Sequence, residues 1–400
     1  MSSTISTPFT KDQLIPQEER LEITRTKQEL FIGIPKETQH QEKRICLTPD
    51  AVAAVCAHGH RILIEKGAGL ASNFSDKDYL AAGAELTTDN TKVFSCPTIL
   101  KVAPPCLEEI NMMKPQTVLI SALQLKTRDQ NYFNKLSEKK ITALAYEFIT
   151  DDEGRFTAVN ALSEISGVAS ILIAAELLSS GDNRTGHLFG NITGVPPVDV
   201  VILGAGVVGE FAARTALGLG ASVKIFDNSI SKLRNIQNNV SQQLYTSTIQ
   251  PKYLSKALRR CDVAIGALTG ENRTPVVVSQ PMVENMKKGA VIIDVSIDMG
   301  GCFETSEITS HDQPTYSKLG VTHYCVPNIP ARYSKTASVA LSNIFTPYIL
   351  NIANDGGIEH AIRMDKGLKC GIYLYHGIVT NKSVGEWYNL PYSDVNLLIF

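Results

Sequence analysis

Val198-Asp199-Val200-Val201-Ile202-Leu203-Gly204-Ala205-Gly206-Val207-Val208-Gly209 is the stretch on which the fold turns. Its first half is β-branched and apolar, the text of a buried strand. Its second half is Gly-x-Gly-x-x-Gly, and Glu210–Leu217 beyond it carries helix formers. Such a six-residue pattern occurs by chance in turns, but the strand before it and the helix after it give it weight. Gly204 permits the tight bend, Gly206 clears space for a pyrophosphate, and Gly209 lets the helix lie close on the strand. The helix start at Val207 and Val208 then offers unpaired N–H groups and the positive end of a dipole to phosphates.

Reading outward, the next strand, Val223-Lys224-Ile225-Phe226, ends in Asp227, eighteen positions beyond Gly209. An acid there accepts both hydroxyls of an adenosine ribose and repels a 2′-phosphate, which favours NAD over NADP. Lys232 and Arg234, a few residues on, temper that preference. A second acid-bearing loop, Ile293-Asp294-Val295-Ser296-Ile297-Asp298-Met299-Gly300-Gly301, follows another apolar strand. It falls at a strand's carboxyl end, where α/β sheets bind ligands, so Val295 and Asp298 are read as facing a nicotinamide ribose or a substrate amine. The bland alternative is a loop acid that caps the next element.

The rest of the chain repeats strand and helix. Strands are expected at 31–34, 61–65, 98–102, 118–123 and 141–148, then at 200–203, 222–226, 262–267, 291–295 and 322–326. Thr48-Pro49-Asp50 reads as a helix start, with Thr as cap, Pro in the first turn and Asp favoured by the dipole. Two long apolar helices, about 163–178 and 337–352, join the halves. Strands alternating with helices mean βαβ units. The expected fold is therefore α/β, with two doubly wound parallel-sheet, Rossmann-like domains around a cleft. Residues 1–29 read as an N-terminal extension, 30–160 with 338–400 as a substrate domain, and 161–337 as the NAD-binding domain.

Composition narrows the function classes. The 400 residues carry a formal net charge of −2 with 20% charged side chains, and no long single-sign run offers a nucleic acid or an anionic membrane a footprint. The longest apolar stretch, near 167–178, falls short of a bilayer span, and residues 1–25 lack the apolar core of a signal peptide. The eight cysteines are dispersed, without a Cys-x-x-Cys pair, and the histidines form no His-Glu-x-x-His. No metal is expected, and reduced thiols suggest a cytoplasmic protein.

At this point the chain resembles the alanine dehydrogenase family, whose relatives include the NAD-binding subunit of proton-translocating transhydrogenase and a lysine-forming saccharopine dehydrogenase. The resemblance runs from about Leu30 to Val384. It is carried by Ile32-Gly33-Ile34-Pro35-Lys36-Glu37-Thr38, Arg44-Ile45-Cys46-Leu47-Thr48-Pro49, Leu100-Lys101-Val102, Leu162-Ser163-Glu164, the glycine turn, Asp298–Glu304 and Tyr324–Pro330. It implies oxidative deamination of alanine to pyruvate and ammonium with hydride transfer to NAD, a small-molecule substrate, and a homo-oligomer, hexamer or dimer. It also implies that Arg44 binds the substrate carboxylate, that Ser163, Asn328 and Ile329 line the cofactor, and that Asp298 lies beside the nicotinamide ribose and substrate.

Two positions depart from the family pattern. Where the family has Lys-Val-Lys-Glu-Pro, this chain has Lys101-Val102-Ala103-Pro104-Pro105; where it has Leu-His-Leu, this chain has Leu123-Gln124-Leu125. Gln124 can hydrogen-bond a substrate but cannot take its proton. Loss of general acid–base catalysis costs about 10²–10⁴-fold. Lys101 and Lys126 flank the changed positions and are candidate substitutes as lysines tuned toward neutrality, although the favoured reading of each is a strand-end lysine reaching solvent. The departures keep open a transhydrogenase-type NAD(H)-binding subunit and a non-catalytic NAD(H) or amino-acid sensor.

Overall fold

The computed structural model describes residues 28–39, 41–179, 185–240, 242–270 and 273–399. Most of the expected extension 1–29 lies outside the described residues. The first sheet contains β1 (Phe31–Ile34), β2 (Arg61–Glu65), β3 (Glu85–Thr87), β4 (Thr98–Leu100), β5 (Val118–Ser121) and β6 (Thr142–Ala145). The second contains β7 (Asp199–Leu203), β8 (Ser222–Phe226), β9 (Tyr245–Ser247), β10 (Val263–Gly266), β11 (Val291–Asp294), β12 (Thr315–Lys318) and β13 (Val321–Tyr324). The chain then returns to the first sheet with β14 (Ile372–Tyr375) and β15 (Ile378–Val379).

Strand order is β15-β14-β6-β5-β4-β1-β2-β3 in one sheet and β12-β13-β11-β10-β7-β8-β9 in the other. Both orders reverse direction once, between β1 and β4 and between β7 and β10, and a doubly wound sheet opens its ligand crevice at such a point. The sheets are not wholly parallel, as the strand–helix alternation led one to expect. β12 pairs antiparallel with β13, and β14 pairs antiparallel with both β6 and β15. The pairs β12–β13 and β14–β15 turn back through short connections, which a parallel crossover does not allow, whereas β14 reaches β6 only after the whole second sheet has been built.

Alternate residues of the central strands feed opposite faces, the period-2 rule for a sheet covered on both sides. In β7, Val200 and Ile202 join one apolar cluster while Val201 and Leu203 join another. In the first sheet Ile32 and Ile34 face one layer and Phe31 the other.

The first connecting helix runs Thr157–Leu178, starting earlier than the apolar text near Ser163 suggested. By length and composition it could cross a membrane, yet half of its most apolar window is buried inside the fold. Gly167 explains the packing: a Cβ there would stand 2.5 Å from the carbonyl oxygen of Val208, so only glycine lets this helix touch Val207–Gly218 so closely. The second connecting helix, Ser334–Asn354, supplies Ser338 and Ser342. Their hydroxyls accept the N–H groups of Ile45 (2.9 Å) and Thr48 (3.0 Å), anchoring the loop between β1 and the helix Pro49–Ala57.

Candidate active site

The nucleotide side is built on the turn after β7. Gly204 has φ +114°, and a Cβ there would lie 2.3 Å from the carbonyl oxygen of Ala267 at the end of β10. A Cβ on Gly209 would lie 1.9 Å from the Gly204 carbonyl oxygen, whereas one on Gly206 would meet nothing within 4 Å. Two glycines are thus required by the fold, and the third leaves a hollow. Gly206 is also the N-cap of the helix Val207–Gly218, and no side chain caps that end. Its free N–H groups face the hollow's edge, which suits a pyrophosphate. Asp227, at the end of β8, accepts the Ala205 N–H (2.8 Å) and the Ser229 N–H (2.7 Å), one on each oxygen. Each oxygen keeps a lone pair for a ribose hydroxyl. The donor set therefore fits NAD.

The second acid loop is organised by Asp294, whose ligand-like geometry the sequence did not signal. Its buried carboxylate accepts the N–H groups of Ser296 (3.1 Å) and Cys302 (3.0 Å) and the Ser306 hydroxyl (2.7 Å). This knot holds the short 3-10 turn Val295–Met299 that carries Asp298. Asp298 is exposed to solvent, with protein crowded around its carboxyl. Burial pushes its carboxyl up to about 6, against the opposing pull of the Asn328 N–H (3.2 Å) and of Arg44. Asn328 takes φ +56°, a left-handed conformation that Asn tolerates better than most residues, and Ile329 behind it is buried. Ser163 lies half-buried on the helix Thr157–Leu178.

The substrate side grows from the crevice of the first sheet. Arg44 is buried, and its Nε–H and Nη2–H donate to Glu42 Oε1 (2.7 Å) and Oε2 (2.6 Å). Although burial opposes ionisation, Arg44 holds the Glu42 carboxyl below the usual carboxylate range. Glu42 Oε2 also accepts the Asn328 side-chain amide at 3.0 Å, so one carboxylate links the arginine to the nucleotide domain. Gln41 adds a second link by accepting the His311 N–H at 2.9 Å. Glu42 engages one edge of the guanidinium, and Nη1 lies on the other. A fork presented that way suits a carboxylate.

Lys101 is neither a lysine reaching solvent nor a base tuned toward neutrality. Its Nζ is wholly buried, 3.0 Å from Glu109 Oε1 and 3.3 Å from Glu37 Oε2. Burial alone would lower its proton affinity, but the two carboxylates win and raise it, so it stays a cation. Ala103 is buried. Gln124 takes φ +49°, and its N–H together with that of Leu123 donates to the half-buried Glu147 carboxylate (3.0 and 3.1 Å). That left-handed residue ends the extended run, and 125–127 form a 3-10 turn, so Lys126 does not share a strand face with Gln124. Instead Lys126 is exposed, with Nζ 3.4 Å from the Met299 sulfur and 6.0 Å from the Trp387 ring.

Fold and site together define a two-domain, NAD-binding α/β protein with a buried arginine tied through Glu42 to the second sheet's loops. Family models for the alanine dehydrogenase/PNT N-terminal and C-terminal domains match residues 33–169 and 170–382. The chain belongs to the alanine dehydrogenase/PNT family. It is 38% identical to an alanine dehydrogenase of Methanococcus maripaludis and 36% identical to one of Staphylococcus epidermidis, covering 91% of this chain and 98% of each relative. Among solved structures, an L-alanine dehydrogenase superposes with a TM-score of 0.85 at 34% identity, covering 90% of this chain and 99% of that one. A transhydrogenase from Sinorhizobium meliloti superposes with a TM-score of 0.75 at 21% identity, covering 88% and 99%, which speaks to fold alone.

Proposed function

We propose that this chain is an NAD-dependent alanine dehydrogenase that interconverts alanine, NAD⁺ and water with pyruvate, ammonium, NADH and a proton. The observation that carries the reading is the Arg44–Glu42–Asn328 chain, which ties a carboxylate-binding fork to the loop beside the nucleotide site. In this reading Gly204, Gly206, Val207, Val208 and Gly209 hold the pyrophosphate and Asp227 the adenosine ribose. Ser163, Val295, Asn328 and Ile329 line the nicotinamide end. Bound NAD⁺ supplies the acceptor for hydride from the substrate Cα. Arg44 orients the carboxylate, Asp298 faces the amino group, and Gln124 offers a polar contact where the family has a histidine. Lys101 contributes a buried positive charge rather than a base. We also propose a homo-oligomer, hexamer or dimer, in the cytoplasm, where its eight unpaired cysteines would stay reduced.

Purified protein mixed with NADH, pyruvate and ammonium is expected to consume NADH only when both co-substrates are present, with 2-oxoglutarate and glyoxylate run alongside. One observation favours a second reading, an NAD(H)-binding sensor: neither Ala103 nor Gln124 can exchange a proton with substrate. Binding of NADH, followed by fluorescence, without oxidation in any mixture would replace the first reading with the second.

A further inference from the structure

Glu37 stands outside every role described above. It follows β1, as Lys101 follows β4, so the two meet at the reversal point of the first sheet, where such sheets bind ligands. Its Oε1 accepts the Val102 N–H at 2.6 Å. Its Oε2 is buried and lies 3.3 Å from Lys101 Nζ, which sits closer, at 3.0 Å, to Glu109 Oε1. A buried carboxylate that shares its one nearby cation with a second carboxylate is costly to keep charged, and a proton on it relieves the cost.

The charges around it point the same way. Lys101 comes from the end of β4, Glu109 from the helix Leu107–Met112, and Glu42 and Arg44 from the loop after β1. The neighbouring Cys46 thiol and Tyr146 hydroxyl are pushed upward by burial and stay neutral. Asp298 also lies in the field of Arg44, so two cations face four carboxylates, Glu37, Glu42, Glu109 and Asp298, and the cluster carries an excess of negative charge when all are ionised. We propose that Glu37 is the proton-holding residue of the substrate site, and that binding of a 2-oxo acid carboxylate at Arg44 drives uptake of one proton from solvent onto Glu37. The ligand brings one negative charge and the solvent one positive charge, so the charge of the cluster is unchanged by binding. Glu37 acts through Arg44 and is a positioning residue.

Burial already pushes the Glu37 carboxyl up to about 7, against Lys101. A further negative charge raises its proton affinity again. By linkage, affinity for the carboxylate is then greatest below about pH 7 and falls by up to about tenfold per pH unit above it.

The inference rests on the assignment of Arg44 to a 2-oxo acid, so the test separates the two. Titration calorimetry of pyruvate into the protein saturated with NAD⁺, at pH 8 in phosphate and in Tris, reads protons exchanged from the difference in heat. Uptake of about 0.5–1 proton is expected at pH 8, lost in Glu37→Gln, whose affinity no longer falls above pH 7. No uptake by the unaltered protein, or uptake persisting in Glu37→Gln, would overturn the proposal. Infrared titration of the unliganded protein gives a second readout: a carboxylic-acid carbonyl band that disappears near pH 7 and is absent from Glu37→Gln. If pyruvate does not bind but that band is present, the substrate assignment fails and Glu37 remains the proton holder. If the band is absent, the proposal fails whether or not pyruvate binds.

Discussion

Asp298 shows how a single residue's surroundings set its chemistry. On a free chain its carboxyl would be ionised well below neutrality; in the fold, the protein crowded around it moves it to about 6. As pH rises through that value the proton leaves, and the resulting carboxylate is the form able to attract a substrate amine. The value of kcat/KM for alanine is therefore expected to rise through about pH 6 and level off above it. Asp298→Asn should abolish that acid limb and lower kcat/KM by about 10²–10⁴-fold. An acid limb unchanged in the variant would move the titration to another group. Part of this was legible in the text, because Asp298 sits after an apolar strand. The knot made by Asp294 was not, since it joins residues brought together only by the turn itself.

At the scale of elements, the glycine turn separates what the fold requires from what the ligand requires. A side chain on Gly206 meets open space, so Gly206→Val should fold normally and keep its melting temperature. It should nevertheless weaken NADH binding at least about tenfold, because the branched side chain fills the hollow left for the phosphates. Gly209→Ala should do the reverse first, destabilising the protein by roughly 1–3 kcal/mol, since its Cβ would collide with the backbone of Gly204. Thermal unfolding with and without NADH distinguishes the two. Both roles were readable from spacing. The antiparallel strands β12, β14 and β15 were not: β12 and β15 are short edge strands with little period-2 signal, and β14 is buried on both faces.

Across the whole molecule, the two domains meet through side chains far apart in the chain. Glu42 meets Asn328, Gln41 meets His311 and Asp312, and Lys126 meets Met299. Asn328→Gly keeps the left-handed backbone and removes the donor to Glu42. It should raise KM for pyruvate about 5–20-fold, a larger effect than its weakening of NADH binding, because the fork loses its tie to the nucleotide domain. A double-mutant cycle with Glu42→Gln should return a coupling of about 1–2 kcal/mol. A coupling near zero would mean that the contact does not link the domains.

The sequence by itself determined the alternation of strand and helix, the phosphate turn, the acid after β8 and the family. Each is a local pattern or a run of ordered matches, and each needs only neighbouring residues to be read. Only the tertiary structure decided that Lys101 stays a cation, that Glu42 occupies one edge of Arg44, and that Glu37 lies buried and shares Lys101 with Glu109. Those outcomes depend on which charges meet when water is excluded, and that pairing is made by loops arriving from different strands at one crevice.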